Sequence, residues 1–384
     1  MTYEWQRQQS YAYWLECVRG LGRKSRRELV ETAGSPQAVY EMTGEEWRTL
    51  LPEKKAEALE SAREACSEKE VEERYRQICQ RGIRYIPHIH PDYPERLKKI
   101  PDPPFGIFLW GKLPEEHKPA VAIIGTRECS EYGRYMAEKA AAELAVRGIG
   151  IISGMARGID GISQRAALRA GGSSYAVLGS GVDICYPAEN RDLYEKLKTR
   201  GGILSEYLPG TRPQAGLFPM RNRIISGLSD LVLIVEAREK SGTLITADMA
   251  LEQGKEVYAV PGRLTDSLSS GCNRLIKQGA GMAVSMEEML EETGILGRPA
   301  EVNGREKRKN GESPKKQEEK DAREGIIRYL DFYPKCVEQL QKESGMEYRK
   351  MICELMELCM ENKAEQVSAG QYLKKRETNN FSEP

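Results

Sequence analysis

The sequence lacks an apolar run long enough to cross a membrane, and it lacks any pair of cysteines at C-x-x-C spacing. A membrane-spanning helix needs about 20 apolar residues, so no membrane contact is expected. The nine cysteines stand singly, which favours reduced thiols over a disulfide framework or a thiolate metal site. The amino-terminal residues also lack the apolar core of a secretory signal. We therefore expect a cytoplasmic protein.

Nucleotide-binding fingerprints are missing as well. The glycine loop that begins at Gly125 does not give G-x-G-x-x-G, and no G-x-x-x-x-G-K-[ST] phosphate loop occurs. Histidine is scarce: His88 and His90 have H-x-H spacing in a proline-rich stretch, and His117 is the only other one. The sequence thus predicts neither a bound metal nor a cofactor.

An excess of charge of either sign is also absent, because 58 Lys and Arg residues balance 58 Asp and Glu residues. A polyanion would therefore be met by a local basic patch rather than by the field of the whole molecule. One such patch is apparent. The stretch from Tyr207 through Ser229 contains Arg212, Arg221 and Arg223 and no acidic residue.

Length and local composition predict several segments in the 384 residues. Residues 1–80 have helical spacing of apolar residues, and residues 81–295 form the main domain with a proline-rich lead-in. Residues 296–322 are dominated by charged and polar side chains and read as a solvated linker. Residues 323–376 show three short helical patterns and a strand pair around Gly370, which together indicate a winged-helix-like module.

The main domain alternates short apolar runs with helical patterns from Val121 to about Ser285. Runs that are apolar on both faces, separated by amphipathic helices, are typical of a parallel sheet covered on both sides. The predicted fold class is α/β, an extended Rossmann-like doubly wound sheet with a helical amino-terminal domain.

Polar, glycine-containing loops follow these apolar runs, and the carboxyl ends of parallel strands share one edge of a sheet. The loops should therefore converge on one crevice whose backbone amides favour phosphate. Gly125, Ser153, Gly154 and Gly179 are the expected backbone cradle. From the residues alone, a nucleotide and a nucleic acid both remain candidate ligands. Asp160 and Asp183 are expected to act as helix caps rather than as ligands.

Ordered motifs within this domain resemble one family. The motifs are GTR at 125–127, SGMARGID at 153–160, LGSGVDICYPAEN at 178–190, FPMRNRIISGLSD at 218–230, KSGTLITA at 240–247 and VPG at 260–262. Together they resemble DNA-processing protein A, the DprA/Smf family. The resemblance extends to PDYPERLKKIPDPP upstream and GCNRLIKQGA downstream, so it covers at least half of the chain.

This resemblance implies a protein that binds and protects single-stranded DNA, helps to load the recombinase RecA during natural transformation, and forms a homodimer. The family's DNA-contacting arginine falls on Arg127, and its R-N-R segment falls on Arg221 and Arg223. Ala188 stands where some members carry lysine. The full set of predicted DNA-binding residues is Arg127, Arg221, Arg223, Lys240, Arg157, Gly125, Thr126, Ser153, Gly154, Gly179, Ser180, Asn222, Ser241 and Gly242. Phe218, Tyr186 and Tyr207 are further candidates for stacking against bases, although a core role is favoured for each.

An enzyme of the same fold is the alternative. The chain is more distantly similar to phosphoribohydrolases that carry P-G-G-x-G-T-x-x-E, but Thr246 stands where the glutamate belongs. Cleavage of a glycosidic bond needs positioned acid–base groups, and Glu206 and Glu236 are the nearby substitutes. We expect no catalytic residues and no enzymatic activity.

The flanking segments give weaker signals. The run Val18 to Gly22, followed by basic residues 23–27, resembles the glycine hairpin of helix-hairpin-helix or SAM-like domains, although an ordinary interhelical turn is slightly favoured. In the carboxyl-terminal module, Glu354, Glu357 and Glu361 on the third helix would repel phosphate. That module is therefore expected to contact protein or to regulate.

Overall fold

The computed structural model describes residues 3–295, 325–331, 334–361 and 363–375. The chain divides into two compact units, residues 1–301 and 302–384. The predicted linker, residues 296–322, lies outside the described residues. Among the residues that are described, no helix has both the length and the apolar character needed to span a membrane.

Helices fill the amino-terminal part of the first unit, as the helical spacing predicts. Several begin with side-chain caps: Ser35 accepts a hydrogen bond from the Ala38 amide, and Thr43 forms a reciprocal capping box with Glu46. The helices are α1 (Tyr3–Cys17), α2 (Arg23–Ala33), α3 (Pro36–Glu41), α4 (Gly44–Leu50), α5 (Glu53–Glu64) and α6 (Glu68–Gln80).

A nine-stranded sheet forms the centre of the first unit. Its strands are β1 (Ile83–Pro87), β2 (Gly106–Gly111), β3 (Ala120–Ile124), β4 (Gly150–Ser153), β5 (Ser174–Val177), β6 (Gly201–Ser205), β7 (Leu231–Ile234), β8 (Glu256–Ala259) and β9 (Gly281–Met282). The spatial order is β1-β2-β6-β5-β4-β3-β7-β8-β9. Strands β6 through β9 in that order pair in parallel, whereas β2 is antiparallel to both β1 and β6.

Helices cover both faces of the sheet. They are α7 (Glu95–Lys98), α8 (Glu131–Val146), α9 (Ile159–Arg169), α10 (Arg191–Arg200), α11 (Leu217–Leu228), α12 (Gly242–Glu252), α13 (Ser270–Lys277) and α14 (Met286–Thr293), with a 3-10 turn at Ala188–Asn190. Successive residues of β3 belong to different cores: Val121 and Ile123 pack with α8 and α9, whereas Ala122 and Ile124 pack with α11 and α12. Burial of both faces explains the uninterrupted apolar runs, and the predicted Rossmann-like α/β class is confirmed.

The amino-terminal helices share a core with one end of this sheet. Tyr11, Trp14 and Leu15 of α1 belong to the same buried cluster as Tyr85 of β1 and Phe108 of β2. The Tyr85 and Phe108 rings lie 4.7 Å apart between their centroids. The helices therefore pack against the sheet as part of one compact unit rather than standing apart from it.

The second unit contains a 3-10 turn (Gly325–Tyr329), β10 (Lys335–Cys336), α15 (Val337–Ser344), α16 (Tyr348–Met360), β11 (Ala364–Ser368) and β12 (Gln371–Lys374). Its sheet has the order β10-β12-β11. The predicted hairpin at Gly370 is present, with φ 73° at that glycine. The first predicted helix is instead a 3-10 turn, where the Ile326 amide donates to Glu354 of α16.

Candidate nucleic-acid interface

The loops that follow β3 and β7 border a groove at the point where the order of the sheet reverses. Strand β3 has β4 on one side and β7 on the other, and ligands of open α/β sheets bind at such switch points. The groove has a volume of about 660 Å³. We call it the switch-point groove; its walls are residues 124–128 after β3, parts of 213–225 in and before α11, and parts of 238–246 in and before α12, with Ala156, Asp160 and Tyr186.

The structure brings most of the predicted DNA-binding residues together in this groove. Those that line it are Gly125, Thr126, Arg127, Arg221, Asn222, Lys240, Ser241 and Gly242. The others do not line it: Ser153, Gly154, Gly179, Ser180, Arg157 and Arg223. The convergence of loops that are distant in sequence follows from the parallel register of their strands.

Three exposed cations give the groove its positive charge. Arg127, Arg238 and Lys240 are exposed. Among the described residues, the ion pairs are formed by other side chains, so none of these three cations is paired with a carboxylate. Arg238 was not predicted as a site residue. Like Lys240, it lies in the loop between β7 and α12, and a cation in that loop is the sequence signal that could have identified it. Glu128 is the only exposed acidic side chain among the described residues that line the groove.

Arg221 lies beneath the groove with 5% of its surface exposed. Its Nη1 donates to the carbonyl oxygen of Gly154 at 3.0 Å and to that of Val177, while its Nε has no hydrogen-bond partner among the described residues. Burial lowers the pKa of Arg221 to about 10, against the raising effect of the nearby Asp160 carboxylate. The guanidinium therefore stays charged at neutral pH and forms the floor of the groove.

Gly154 and Asp160 have structural roles that differ from the predicted ones. The Gly154 amide donates to Asp160 Oδ2 at 3.1 Å, so it is not presented to a phosphate. Asp160 does not cap α9, whose N-cap residue is Gly158. Burial raises the pKa of Asp160, although the charge of Arg221 opposes the shift. A Cβ atom at position 154 would lie 2.6 Å from Arg221 Nη1, which explains the glycine.

Asp183 also has a tertiary role instead of a cap. Its carboxylate accepts a hydrogen bond from the Gly210 amide at 2.8 Å and one from Arg81 at 2.5 Å. It thereby joins the loop after β5 to the loop after β6 and to the end of α6.

Arg223 does not point into the groove, and the structure corrects its predicted role as a phosphate contact. Its side chain forms two parallel hydrogen bonds with Glu206, at 2.8 and 2.6 Å, and its Nε donates to the Asp102 carbonyl oxygen at 2.9 Å. The side chains of Arg223 and Glu206 are only 6% and 9% exposed. Glu206 stands just outside the acid-free stretch 207–229, so the charge of Arg223, one of the three arginines of that stretch, is offset by the residue that immediately precedes it.

Aromatic rings line the groove beside its cations. The Arg127 guanidinium lies 5.7 Å from the centroid of the Phe218 ring, and the Tyr186 and Phe218 rings are 5.7 Å apart. Tyr186 is 44% exposed. Tyr207, the third stacking candidate, instead donates its hydroxyl to the Leu217 carbonyl oxygen at 3.3 Å and supports the start of α11.

The remaining predicted residues lie behind or beside the groove. Ser153 is buried and donates to the Ile123 carbonyl oxygen at 2.7 Å. Gly179 and Ser180 are buried as well, and a Cβ at position 179 would lie 2.8 Å from the Phe218 ring. Arg157 is exposed and ion-paired with Glu189. Ser153, Gly179 and Ser180 therefore shape the groove from behind, while the charge of Arg157 is offset by Glu189.

The two carboxylates considered for catalysis are engaged within the protein. Glu236 is fully buried and accepts hydrogen bonds from the amide and the hydroxyl of Ser130, the N-cap residue of α8. Burial raises the pKa of Glu236 despite these hydrogen bonds. Glu206 holds Arg223 as described. Neither carboxylate lines the switch-point groove.

The basic run at the start of α2 is also paired internally. Arg26 forms an ion pair with Glu16 at 2.7 Å and donates to the carbonyl oxygens of Leu15 and Val18. Arg23 pairs with Asp102. These contacts engage Arg23 and Arg26 within the protein, so this part of the basic run is not simply solvated. Among the described residues, no group of three or more His, Cys, Asp or Glu side chains is gathered to hold a metal.

The switch-point groove lies within the part of the chain that is similar to a known protein family. The sequence model of the family described as DNA recombination-mediator protein A matches residues 84–294. DNA processing protein DprA of Bacillus subtilis is 44% identical over 214 residues, which are 56% of this chain and 72% of that protein. DNA processing protein DprA of Streptococcus pneumoniae is 42% identical over 200 residues, 52% of this chain and 71% of that protein.

A solved structure is similar over a larger part of the chain. The X-ray structure of DNA processing protein A from Streptococcus pneumoniae has a TM-score of 0.66 and 31% sequence identity, and the match covers 74% of this chain and 97% of that one. The family match at residues 84–294 includes the loops that form the switch-point groove.

Proposed function

This chain belongs to the DNA recombination-mediator protein A family, as its resemblance to DprA/Smf sequences predicts, and from that premise we propose that it binds single-stranded DNA in the switch-point groove. The observation that carries the proposal is the set of three exposed cations, Arg127, Arg238 and Lys240, beside the Phe218 and Tyr186 rings. A single strand requires positive charge along its backbone and flat faces for its bases, and the groove offers both.

Each side of the groove has a distinct role in this proposal. Arg127 and Lys240 contact phosphates from opposite walls, while the amino-terminal end of α12, which begins at Gly242, adds a favourable helix dipole. Phe218 and Tyr186 stack against bases. Arg221 contributes its charge from below, because its Nη1 is already hydrogen-bonded to protein carbonyls.

We propose further that the bound strand is protected and passed to RecA, that the protein acts as a homodimer in the cytoplasm, and that it needs no cofactor. The family's description as a recombination mediator supports a recombinase as the partner. The role in natural transformation follows from the resemblance to DprA/Smf sequences.

The protein is proposed to act without catalysis. The support for this is the engagement of Glu206 by Arg223 and of Glu236 by Ser130, since a general acid or base must reach the bond that it cleaves. Release of free base from a nucleoside monophosphate would revive the phosphoribohydrolase alternative.

The flanking segments are assigned accessory roles. The 3-10 turn, two helices and three-stranded sheet of residues 325–375 support a winged-helix-like module. We propose that it contacts protein, because Glu357 is exposed on α16 and Glu361 is exposed just past its end. Tight binding of duplex DNA by fragment 322–384 at physiological salt would contradict this. The amino-terminal helices keep their SAM or helix-hairpin-helix likeness as a prediction.

Fluorescence anisotropy with a labelled single-stranded oligonucleotide tests the main proposal. We expect tight binding that weakens with salt, resists competition by nucleoside monophosphates and prefers single strands to duplex. The Arg127→Ala and Lys240→Ala variants should both bind more weakly. Absence of binding, or displacement of the strand by a mononucleotide, would show that the groove holds a small molecule instead.

A further inference from the structure

Four charged side chains form a connected cluster beside the switch-point groove. We call Arg23, Asp102, Glu206 and Arg223 the arginine–carboxylate cluster. Arg23 donates from Nε to Asp102 Oδ1 at 2.7 Å and from Nη2 to the other carboxylate oxygen. Arg223 lies 3.4 Å from the same carboxylate and binds Glu206 with both of its terminal nitrogens.

The cluster joins four separate parts of the chain. Arg23 is the first residue of α2, and Asp102 lies in the loop between α7 and β2. Glu206 directly follows β6, and Arg223 is in α11. A continuous path of hydrogen bonds and ion pairs therefore runs from the amino-terminal helices to the helix that forms one wall of the groove.

Arg223 also fixes α11 itself. Its Nη1 donates to the Met220 carbonyl oxygen at 2.8 Å, and its own carbonyl oxygen accepts from Gln253 at the end of α12 at 3.0 Å. Phe218, Arg221 and Asn222 project from the same two turns into the groove. The orientation of these groups thus depends on where the Arg223 side chain is anchored.

We infer that Arg223 is a positioning residue and that Arg23, through Asp102, couples the amino-terminal helices to the single-strand-binding groove; the inference rests on the proposed function. Arg23 does not line the groove, so its contribution to affinity is indirect. The Asp102 side chain is 40% exposed, so water partly solvates it when Arg23 is removed. Among the described residues, Arg223 is then its remaining ion-pair partner. Loss of the Arg23 contact therefore changes the balance of charge at Arg223, because both arginines share the Asp102 carboxylate.

Three arginines place positive charge near the Asp102 carboxylate: Arg23, Arg223 and, farther away, Arg27. Arg23 and Arg223 are the described side chains that contact the Asp102 carboxylate within 4.0 Å. The Arg23 side chain is 31% exposed, so its truncation does not open a buried cavity. This makes Arg23, at the far end of the path, the informative position to change.

The test is the affinity for a labelled single-stranded oligonucleotide across a salt series, measured with the full chain. Arg23→Ala and Asp102→Asn should each weaken binding by roughly three- to tenfold, the range typical of residues that couple two regions. The slope of log affinity against log salt should stay at the wild-type value, because neither residue touches a phosphate. A direct contact would reduce that slope by about 0.7.

Arg48→Ala is the matched control. It also removes one positive charge and its ion pairs, with Glu53 and Glu60, from the amino-terminal helices, but it has no link to Asp102. Wild-type affinity in Arg48→Ala together with weakened binding in Arg23→Ala supports the coupling. Equal losses in both variants would assign the effect to net charge or general stability and overturn it.

Arg223→Lys provides the second variant, since it keeps the charge but loses the paired geometry with Glu206. It should fold and bind more weakly with an unchanged salt slope. A reduced slope in Arg223→Lys or Arg23→Ala, or wild-type affinity in Arg23→Ala, overturns the inference while the proposed function stands if Arg127→Ala still weakens binding. A wild-type chain that binds no single strand overturns both.

Discussion

The guanidinium of Arg127 lies 5.7 Å from the centroid of the Phe218 ring, across the mouth of the switch-point groove. Arg127 follows β3, whereas Phe218 is in α11. The pair joins a cation and an aromatic face, the two features that a single strand uses. Truncation of either residue should lower the affinity for single-stranded DNA, but only truncation of Arg127 should change the salt dependence of binding.

Arg127→Ala should remove one phosphate contact. We expect the affinity for single-stranded DNA to fall roughly tenfold or more, because a hydrogen bond to a charged group is lost, and the salt slope to decrease by about 0.7. Arg169→Ala is the control, since Arg169 is an exposed arginine in the last turn of α9. A salt slope that is unchanged in Arg127→Ala would contradict the contact.

Phe218→Ala should remove a stacking face without removing charge. The expected loss is about 1–3 kcal/mol of binding free energy, with the salt slope unchanged. Anisotropy with the same oligonucleotide measures both quantities, and thermal unfolding checks the fold, because Phe218 also packs over Gly179. Affinity equal to that of the wild type in a folded variant would remove Phe218 from the binding surface.

Gly154→Ala should destabilise the protein through overpacking. A Cβ atom there would lie 2.6 Å from Arg221 Nη1 and 2.7 Å from Asp160 Oδ2, and strain of this kind costs about 1–3 kcal/mol of unfolding free energy. Urea unfolding measures it. Gly242→Ala is the matched control, because a Cβ there meets nothing within 4 Å. Similar unfolding midpoints for the two variants would refute the prediction.

Asp102→Asn should give a pH-dependent loss of stability. Burial alone would raise the pKa of Asp102, but the hydrogen bond and charge of Arg23 and the charge of Arg223 lower it overall. A lowered pKa in the folded state stabilises the protein above the unfolded value of about 3.9, and the stabilisation disappears as the pH falls through the folded value.

The variant should therefore be less stable than the wild type at pH 7, and the difference should shrink as the pH is lowered below about 4. Urea unfolding at a series of pH values measures the difference. A difference that remains constant into the acid range would show that the Asp102 charge does not contribute.

The sequence by itself determined the α/β class, the family and the position of the groove. Strands such as Val121 to Ile124 are buried on both faces and therefore show no alternation of apolar and polar residues. Parallel pairing of β3 with β7 brings the loops that follow them to one edge of the sheet. Arg127 and Lys240 were identifiable because they belong to the GTR and KSGT motifs in the loops after β3 and β7. Arg238 lies in the same loop as Lys240 but outside those motifs, and it was not predicted.

Only the tertiary structure decided which arginines are available to a ligand and which are already paired with carboxylates inside the protein. Arg221 and Arg223 are separated by two positions in one helix, yet the first lies under the groove and the second binds Glu206 and Asp102. Asp102 is 121 residues from Arg223, so no local pattern reveals the pairing. A periodic pattern specifies which face of an element is buried, whereas the partner of a buried charge depends on which distant segment packs against it.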